Sequence, residues 1–306
     1  MKYPRLALLG LPYARLELLG WGKVLIKLGV YSDELWAQAP TVKIRGKWHG
    51  YLMTLDLSNW SERQTYFLGR FYDLPTQLFM KAAIKPGDSF IDVGANIGMI
   101  SLLAARLVGE EGSIYAFEPN PIAFERSQAV FAQNQLQQIK LYPWGLGAQQ
   151  SELTLSVITA HTGMGTLAQV PQKDLSLISN QYQVPVYRGD EVLPKDLPGV
   201  TFIKIDVEGF EPYVIQGLEQ TIRRHKPVVL TEVFAEYLER ANSSVEELFT
   251  LMQDYGYTGY NMDVKRAFGP HRLQLSQVSP DRIADNVVWL HRDNNLSKQL
   301  QPYHVA

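Results

Sequence analysis

The feature that most constrains the fold is the stretch DSFIDVGANIGMIS at residues 88–101. An apolar, β-prone run ends at Val93 and is typical of a strand that is covered on both faces. Gly94 and Gly98 bracket a turn, and alanine-rich sequence with helical spacing continues to Val108. A strand that enters a helix through glycines brings bare backbone N–H groups close to a ligand beyond the strand's carboxyl end. We therefore predict an open α/β sheet with a ligand site at this turn.

The glycine spacing argues against a dinucleotide as that ligand. A dinucleotide fingerprint reads G-x-G-x-x-G, whereas this turn reads Gly94-x-x-x-Gly98 and follows Asp92. An acid and Asn96 beside the turn suit a ligand end that carries both an ammonium and a carboxylate. The next predicted strand ends in Glu118, whose carboxylate can accept hydrogen bonds from both hydroxyls of a ribose. An amino-acid end combined with a ribose indicates S-adenosylmethionine.

Three motifs fall in the order and spacing of one known family. They are IDVGANIG at residues 91–98, FEPN at 117–120 and IKIDVEGFE at 203–211. As a set they resemble the FkbM family of S-adenosylmethionine-dependent methyltransferases, over a region that runs roughly from residue 60 to residue 292. The resemblance implies a Rossmann-like class I methyltransferase fold in the α/β class. Its seven-stranded, mostly parallel sheet has the order 3-2-1-4-5-7-6, with helices on both faces.

We divide the 306-residue chain into two parts. Residues 1–75 are predicted to form an N-terminal extension, with a helical segment followed by a β-hairpin. Residues 76–306 are predicted to form the methyltransferase domain that binds S-adenosylmethionine, because strands and helices alternate there as in a doubly wound sheet. The length leaves room for one large α/β domain with such an extension.

Composition excludes several classes of protein. The net charge of −2 argues against a general nucleic-acid binder, since those are usually strongly basic. The absence of cysteine excludes disulfides, thiolate catalysis and cysteine zinc sites. No apolar run approaches the roughly 20 residues of a transmembrane helix, and Pro12, Arg15 and Glu17 interrupt the apolar N-terminal stretch. We reject a signal peptide on that ground and expect a cytoplasmic protein.

The residues expected to bind the cofactor lie at the turn and at the strand ends. The turn should hold the amino-acid end, Glu118 the ribose, and Asn120 and Trp144 the adenine region. The family resemblance adds Asp73, in a segment that lies near the cofactor in family members, where glutamate is more common. The predicted set is Asp73, Asp92, Gly94, Ala95, Asn96, Gly98, Glu118, Asn120 and Trp144.

Three charged residues near the end of the predicted fourth strand, residues 201–207, indicate where the chemistry occurs. Because side chains alternate along a strand, Lys204, Asp206 and Glu208 should share one face. A central parallel strand is normally apolar, and a buried charge costs several kcal/mol unless it is paired. We interpret the three charges as part of a site. The alternative is a structural Lys–Asp pair that anchors the next loop.

Transfer of a methyl group to an alcohol requires a base or a metal that activates the hydroxyl. The candidate bases are Asp206, Glu208, Glu232 and His161, and Lys204 completes the predicted catalytic set. His161 has the unperturbed pKa closest to neutral, although a lone histidine on a loop is more often ordinary surface. A divalent metal among these acids is a further option, but the acids lack a dedicated ligand spacing, so no residue is assigned as a metal ligand.

The segment after the fourth strand narrows the acceptor. Amino-directed methyltransferases of this fold often carry an Asn- or Asp-Pro-Pro-aromatic motif there, whereas this chain reads DVEG at residues 206–209. Together with the resemblance, this favours O-methylation of a hydroxyl on a sugar, glycolipid or polyketide-type acceptor. The alternatives are an N-methyltransferase, a nicotinamide-dependent oxidoreductase on a Rossmann fold, and a non-catalytic module that binds a cofactor.

The predicted partners are a small-molecule or glycolipid acceptor and no nucleic acid. Residues 1–30 are rich in leucine and also carry Arg15, Lys23 and Lys27. One interpretation is a helix that packs on the main domain. The other is an interfacial helix that contacts an anionic membrane, or a lid over a lipid-linked substrate. The oligomeric state does not follow from the sequence.

Overall fold

The structure is a computed structural model. It describes residues 4–158, 165–197, 199–265, 271–280, 283 and 285–294. Contacts divide the chain into a first unit, Met1–Leu74 with Ala129–Gln135, and a second unit, Pro75–Gln128 with Leu136–Ala306. The assignment of separate domains stays a prediction. None of the helices in the described ranges is long and apolar enough to cross a membrane.

The first unit starts with short helices and continues into a hairpin. After a 3-10 helix at Arg5–Gly10, its elements are α1 (Leu11–Arg15), α2 (Trp21–Lys27), α3 (Asp33–Trp36), β1 (Thr41–Arg45), β2 (Leu52–Asp56) and α4 (Trp60–Leu68). The predicted hairpin is present, because β1 pairs antiparallel with β2 from Thr41 opposite Asp56. Helix α4 is capped at its N-terminus by Asn59, whose side chain accepts hydrogen bonds from the N–H groups of Ser61 and Glu62.

A buried ion-pair network lies in the same unit. Glu17 accepts hydrogen bonds from Arg70 at 3.0 and 2.8 Å and also pairs with Lys47 at 2.5 Å. Burial would raise the pKa of Glu17, but the hydrogen bonds from Arg70 and Lys47 outweigh it and lower the pKa to about 2. The only acid between residues 4 and 32 is therefore neutralised inside the protein.

The helices of the remaining chain alternate with its strands. They are α5 (Leu74–Ala83), α6 (Met99–Val108), α7 (Pro121–Gln133), α8 (Gly189–Val192), α9 (Glu211–Gly217), α10 (Glu219–His225), α11 (Ala235–Arg240) and α12 (Val245–Asp254). The strands of the central sheet are β3 (Ser89–Val93), β4 (Ser113–Phe117), β5 (Ile139–Tyr142), β10 (Val200–Ile205), β11 (Val228–Glu232), β12 (Tyr257–Lys265), β13 (Arg272–Gln277) and β14 (Asn286–His291). A smaller sheet contains β6 (Gly145–Leu146), β7 (Ser151–Ile158), β8 (Gly165–Thr166) and β9 (Ile178–Tyr187).

The central sheet is Rossmann-like. Its order is β13-β12-β14-β11-β10-β3-β4-β5, and the pairs from β11 to β5 are parallel. From β5 to β12 this is the predicted order 3-2-1-4-5-7-6, with the last strand, β14, antiparallel to both neighbours. An eighth strand, β13, extends the edge by pairing antiparallel with β12. The sequence analysis expected seven strands and missed this one.

The smaller sheet is built on two long strands. β7 pairs antiparallel along almost all of β9. Sequence analysis missed most of β9 because its polar residues Ser179, Asn180, Gln181 and Gln183 are exposed and hide the alternation that identifies a strand.

Apolar residues on both faces of the central strands hold the helices in place. On one face, Phe202 of β10 stacks on Phe90 of β3 at 5.2 Å and meets Phe79 of α5. The other face packs against α9, α10 and α12 in one buried core, with Ile91 and Ile203 at its centre. Helices therefore cover both faces, as predicted, and the carboxyl ends of β3, β4, β10 and β11 meet at one edge of the sheet.

Candidate active site

The glycine turn after β3 is fixed by contacts within the protein. Gly94 has a left-handed backbone with φ of +75°, and a Cβ there would lie 1.9 Å from the carbonyl oxygen of Asp206. Only glycine allows β3 and the segment after β10 to approach so closely. The N–H groups of Gly94 and Ala95 both donate to Phe117 O at 3.0 Å, and that of Gly98 donates to Ala95 O. The expectation that bare N–H groups face a ligand is wrong for these three residues, because β4 and the turn itself supply their acceptors.

Glu118 connects the turn to the end of β4. One carboxylate oxygen accepts a hydrogen bond from Asn96 N at 2.7 Å and the other accepts one from Asn120 N at 2.8 Å. Burial raises the pKa of Glu118 to about 7, although these two hydrogen bonds oppose the shift. Each carboxylate oxygen has a further lone pair. Glu118 can thus bind two hydroxyls while it holds the turn.

Lys204 is a buried cation between the turn and the acids. Its Nζ donates to Gly94 O at 2.8 Å and lies 3.2 Å from Asp206 Oδ2 and 3.6 Å from Asp92 Oδ1. Burial alone would lower the pKa of Lys204, but the carboxylates of Asp206 and Asp92 outweigh it and raise the pKa. The ammonium stays charged and joins three segments of the chain.

Asp92 is enclosed by the protein. Its side chain is 0% exposed, and Ser101 Oγ donates to its Oδ2 at 2.6 Å. Burial raises its pKa, although Lys204 and Ser101 oppose the shift. The contacts of Asp92 in this structure are therefore to the protein, and a direct contact with the cofactor stays a prediction.

Aromatic side chains surround the end of β5. Trp144 packs against Tyr142 at 5.0 Å and against the edge of Tyr187 at 5.4 Å, and Tyr142 stacks on Phe117. Asn120 is buried, and its Oδ1 accepts a hydrogen bond from Ile122 N at the start of α7. The predicted adenine region is therefore a mostly aromatic surface.

Four carboxyl groups, here called the acid cluster, lie after β10 and at the end of β11: Asp206, Glu208, Glu211 and Glu232. Burial raises the pKa of Glu208 to about 8, and the charges of Asp206 and Glu211 add to the shift. Burial and the same neighbours also raise the pKa of Glu232. Charges packed this closely favour proton uptake by one member at neutral pH.

The strand that carries the cluster is shorter than predicted. β10 ends at Ile205, and Glu208 lies in the following turn with a φ of 55°. The alternation argument therefore does not place Glu208 on the face of Lys204. The turn brings it to the cluster instead.

Sequence analysis missed one member of the acid cluster. Glu211 is 1% exposed, and its Oε1 accepts hydrogen bonds from Val207 N at 3.1 Å and Gly209 N at 3.3 Å. Burial raises its pKa to about 7. The signal was an acid at the start of a helix, directly after the charged strand. Glu211 holds the turn that carries Glu208.

A small pocket opens beside Glu208. It is lined by Ile158, Thr166, Glu208, Tyr237 and Arg240. Thr166 Oγ1 donates to Glu208 O at 3.0 Å. Burial and the nearby charge of Glu208 raise the pKa of Tyr237 to about 12, so its hydroxyl remains a donor. Sequence analysis identified neither Tyr237 nor Arg240, because both lie in the unremarkable helix α11.

Two predicted site residues cannot be placed beside these groups. His161 lies outside the described residues. Asp73 belongs to the first unit, so its role toward the cofactor stays a prediction. Within the described ranges, no group of three or more His, Cys, Asp or Glu side chains could hold a metal ion.

The site fits the cofactor inferred from the sequence. Among the described residues, the buried acceptor Asn96 Oδ1 at the turn has no hydrogen-bond partner, and Asp92 Oδ1 has only the ammonium of Lys204 at 3.6 Å. An ammonium group supplies the donors that such atoms lack. Glu118 offers acceptors for ribose hydroxyls, and Trp144 Nε1 is a buried donor without a partner in the same ranges. These groups match an amino-acid end, a ribose and a base.

The sequence is also similar to those of known methyltransferases. A family model described as the Methyltransferase FkbM domain matches residues 92–258, more than half of the chain. Methyltransferase 1 of Beauveria bassiana (strain ARSEF 2860) is 31% identical over 150 residues, which cover 44% of this chain. The match spans 60% of that protein, less than two thirds of its length. The 31-O-demethyl-FK506 methyltransferase FkbM of Streptomyces tacrolimicus is 26% identical over 204 residues, covering 57% of this chain and 74% of that protein.

The crystal structure of Methyltransferase FkbM from Methylobacillus flagellatus KT superposes on this chain with a TM-score of 0.40 at 15% identity. The superposition covers 89% of this chain and 60% of that one.

Proposed function

The chain belongs to the FkbM methyltransferase family, and from that premise we propose that it methylates a hydroxyl group with S-adenosylmethionine. The acceptor class is a sugar, glycolipid or polyketide-type molecule. The observation that carries the proposal is the acid cluster at the carboxyl ends of β10 and β11, where the pKa of Glu208 is raised to about 8. A carboxylate with such a pKa is suited to accept a hydroxyl proton near neutral pH.

The cofactor would be held by groups at the glycine turn and at the ends of β4 and β5. Asn96 and the turn around it would bind the amino-acid end, Glu118 the ribose and Trp144 the adenine region. The bound cofactor supplies an activated methyl group on a sulfonium. The chain itself supplies alignment, because Glu118 and Lys204 each tie the turn to a neighbouring strand end.

Glu208 is the proposed base. When the acceptor oxygen takes up the methyl group that the cofactor would supply, its hydroxyl proton would pass to the Glu208 carboxylate. Tyr237 and Arg240 line the same pocket and can orient the acceptor by donating hydrogen bonds to its oxygen atoms.

An oxygen acceptor is also supported by a relative. The name of the Streptomyces tacrolimicus protein specifies methylation of a 31-O-demethyl compound. The chain also lacks a Pro-Pro-aromatic motif after β10, where amino-directed enzymes of this fold often have one. Both observations favour oxygen over nitrogen.

Calorimetric titration tests the cofactor assignment. We expect S-adenosylhomocysteine to bind in the low-micromolar range, about −8 kcal/mol, and NAD not to bind. Glu118→Ala should weaken binding by about 10- to 100-fold, because the loss of a hydrogen bond to a charged group costs about 1–3 kcal/mol. Glu125→Ala, at an exposed acid of α7, is the matched control and should bind as the wild type does. Equal binding by wild type and Glu118→Ala would contradict the ribose assignment.

The acceptor class needs a separate experiment. Purified protein is incubated with methyl-labelled S-adenosylmethionine and pools of oligosaccharides, glycolipids and macrolide-type polyketides. Mass spectrometry then locates the label in the product. We expect it on a hydroxyl oxygen, and a label on nitrogen would overturn the proposal.

A further inference from the structure

The first unit presents large apolar side chains to solvent in one short part of the chain. Leu6, Leu9, Leu16, Leu19 and Ile26 are 74%, 78%, 71%, 80% and 65% exposed. Single exposed apolar residues are ordinary, but five side chains this exposed within 21 residues of sequence are not. We call these five side chains the apolar surface.

Leu6, Leu9 and Ile26 belong to helices that bury their other side, whereas Leu16 and Leu19 lie in the connection between α1 and α2. Ala7 of the 3-10 helix, Ala14 of α1 and Leu25 of α2 are at most 1% exposed and form one core with Trp36 and Phe67. The helices therefore place small or apolar residues inward and leave the large leucines outside. A globular protein that needed only to cover its own core would carry polar residues at those outer positions.

Helical spacing places some of the exposed residues on the same side of their helix. Leu6 and Leu9 are three residues apart in the 3-10 helix, which has three residues per turn, so they lie on one side. On α2, Ile26 lies on the same face as Lys23 and next to Lys27, and all three are exposed. An apolar residue is thus flanked by two cationic side chains.

Within residues 4–32 the exposed charged side chains are basic, and the exposed acids nearest in sequence are Asp33 and Glu34 of α3. Residues 4–32 carry the basic side chains Arg5, Arg15, Lys23 and Lys27, and the single acid is Glu17. Glu17 is 6% exposed and is neutralised by Arg70 and Lys47, so it contributes no exposed negative charge. Basic residues beside exposed leucines are typical of helices that lie in the interface of an anionic bilayer.

We propose that the apolar surface docks on a lipid bilayer that contains anionic lipids. The leucines and Ile26 insert at the boundary between headgroups and acyl chains, and Lys23 and Lys27 bind acidic headgroups. Trp21, half-buried on α2, and Tyr31, 40% exposed, are residue types that favour this depth. The binding is peripheral and is independent of the proposed methyl transfer.

Vesicle sedimentation with the full chain tests the proposal. We expect binding to vesicles of phosphatidylcholine with 30% phosphatidylglycerol, roughly tenfold or more weaker binding to pure phosphatidylcholine, and weakening at high salt. The variant Leu9→Ser/Leu19→Ser/Ile26→Ser should lose binding by at least about tenfold. Lys23→Gln/Lys27→Gln should lose the preference for anionic vesicles. The matched control Ile122→Ser/Leu175→Ser/Leu177→Ser changes exposed apolar residues of the second unit and should bind as the wild type does.

Each other outcome overturns the proposal. No binding of the wild type to anionic vesicles would do so, as would equal binding by the wild type and the triple serine variant. A dimer in light scattering that the triple variant abolishes would show that a second copy covers the apolar surface instead. Circular dichroism melting verifies that the variants fold, and S-adenosylhomocysteine titration separates this result from a failure of the proposed function.

Discussion

Replacing Lys204 by methionine should destabilise the second unit strongly, because it leaves a buried carboxylate without its cation. Asp92 is 0% exposed, and Lys204 Nζ is the cation 3.6 Å away. Removing one partner of a buried pair costs about 3–5 kcal/mol, which includes the charged hydrogen bond to Gly94 O. The contact with Asp206, whose side chain is 45% exposed, contributes less than about 1 kcal/mol. We expect Lys204→Met to lower the free energy of unfolding by about 3–5 kcal/mol.

A double variant separates the pair from other effects. Asp92→Asn/Lys204→Met removes both charges and should cost only about 1–2 kcal/mol, since a buried pair replaced as a whole is often nearly neutral. The single variant Asp92→Asn should cost about 1–3 kcal/mol, because the Lys204 ammonium keeps its contacts with the Asp206 carboxylate and Gly94 O. The double-mutant cycle should therefore give a coupling energy of at least about 2 kcal/mol.

Urea unfolding followed by tryptophan fluorescence measures these values, and pH adds a second check. Without Lys204, the folded pKa of Asp92 rises further above its unfolded value. An acid whose pKa is higher in the folded than in the unfolded protein destabilises the fold more as the pH increases above the unfolded pKa. Lys204→Met should therefore lose more stability at pH 8 than at pH 5. A loss below about 1 kcal/mol, or a double variant as unstable as the sum of the single variants, would refute the reasoning.

Three further predictions concern single positions. Gly94→Ala should cost at least about 2 kcal/mol more than Gly87→Ala in thermal unfolding, because both glycines have positive φ but only at Gly94 does the new Cβ meet a backbone oxygen. Glu17→Gln should cost about 1.5–2 kcal/mol at pH 7, after solvent screening is discounted. It should also abolish the wild-type loss of stability as the pH falls from about 4.5 to about 2. Glu208→Gln should slow methyl transfer by about 10²- to 10⁴-fold and remove the rise in rate toward pH 8, whereas Glu239→Gln should leave both unchanged in a labelled-methyl assay. A wild-type stability that is flat in acid, or a Glu208→Gln variant that keeps the wild-type pH profile, would contradict the respective assignment.

The sequence predicts the centre of the sheet well because its strands are apolar on both faces. The run that ends at Val93 and the runs around Ile203 and Val229 carry a signal that no other structure explains as well. The strand order followed from the family resemblance. The edge strand β13 was missed because only Leu273 and Leu275 carry its alternation, and most of β9 was missed because its run of exposed polar residues hides the pattern.

The site is less predictable than the fold, because its contacts join distant parts of the chain. The sequence placed Glu118 beside the turn, but not the hydrogen bonds by which it holds Asn96 and Asn120. The sequence indicated that the N–H groups of the turn face a ligand, whereas Phe117 O accepts hydrogen bonds from two of them. Glu211 was missed because its function is to bind backbone N–H groups of the preceding turn, which only the folded turn brings together.

The sequence left open whether the charges around Lys204 form a functional site or a structural ion pair. The structure supports both, with different residues in each role. Lys204 and Asp92 have side chains at most 8% exposed, so they position the site from inside. Asp206 is 45% exposed and Glu208 lines the pocket, so these acids can meet an acceptor. Because Nζ holds both Gly94 O and Asp206, a change at Lys204 should alter cofactor binding and methyl transfer together. Glu208→Gln should alter only the transfer. If the Asp92→Asn/Lys204→Met variant is stable but binds S-adenosylhomocysteine more weakly than both the wild type and the Asp92→Asn variant, the charge of Lys204 sets the geometry of the turn as well as the stability of the fold.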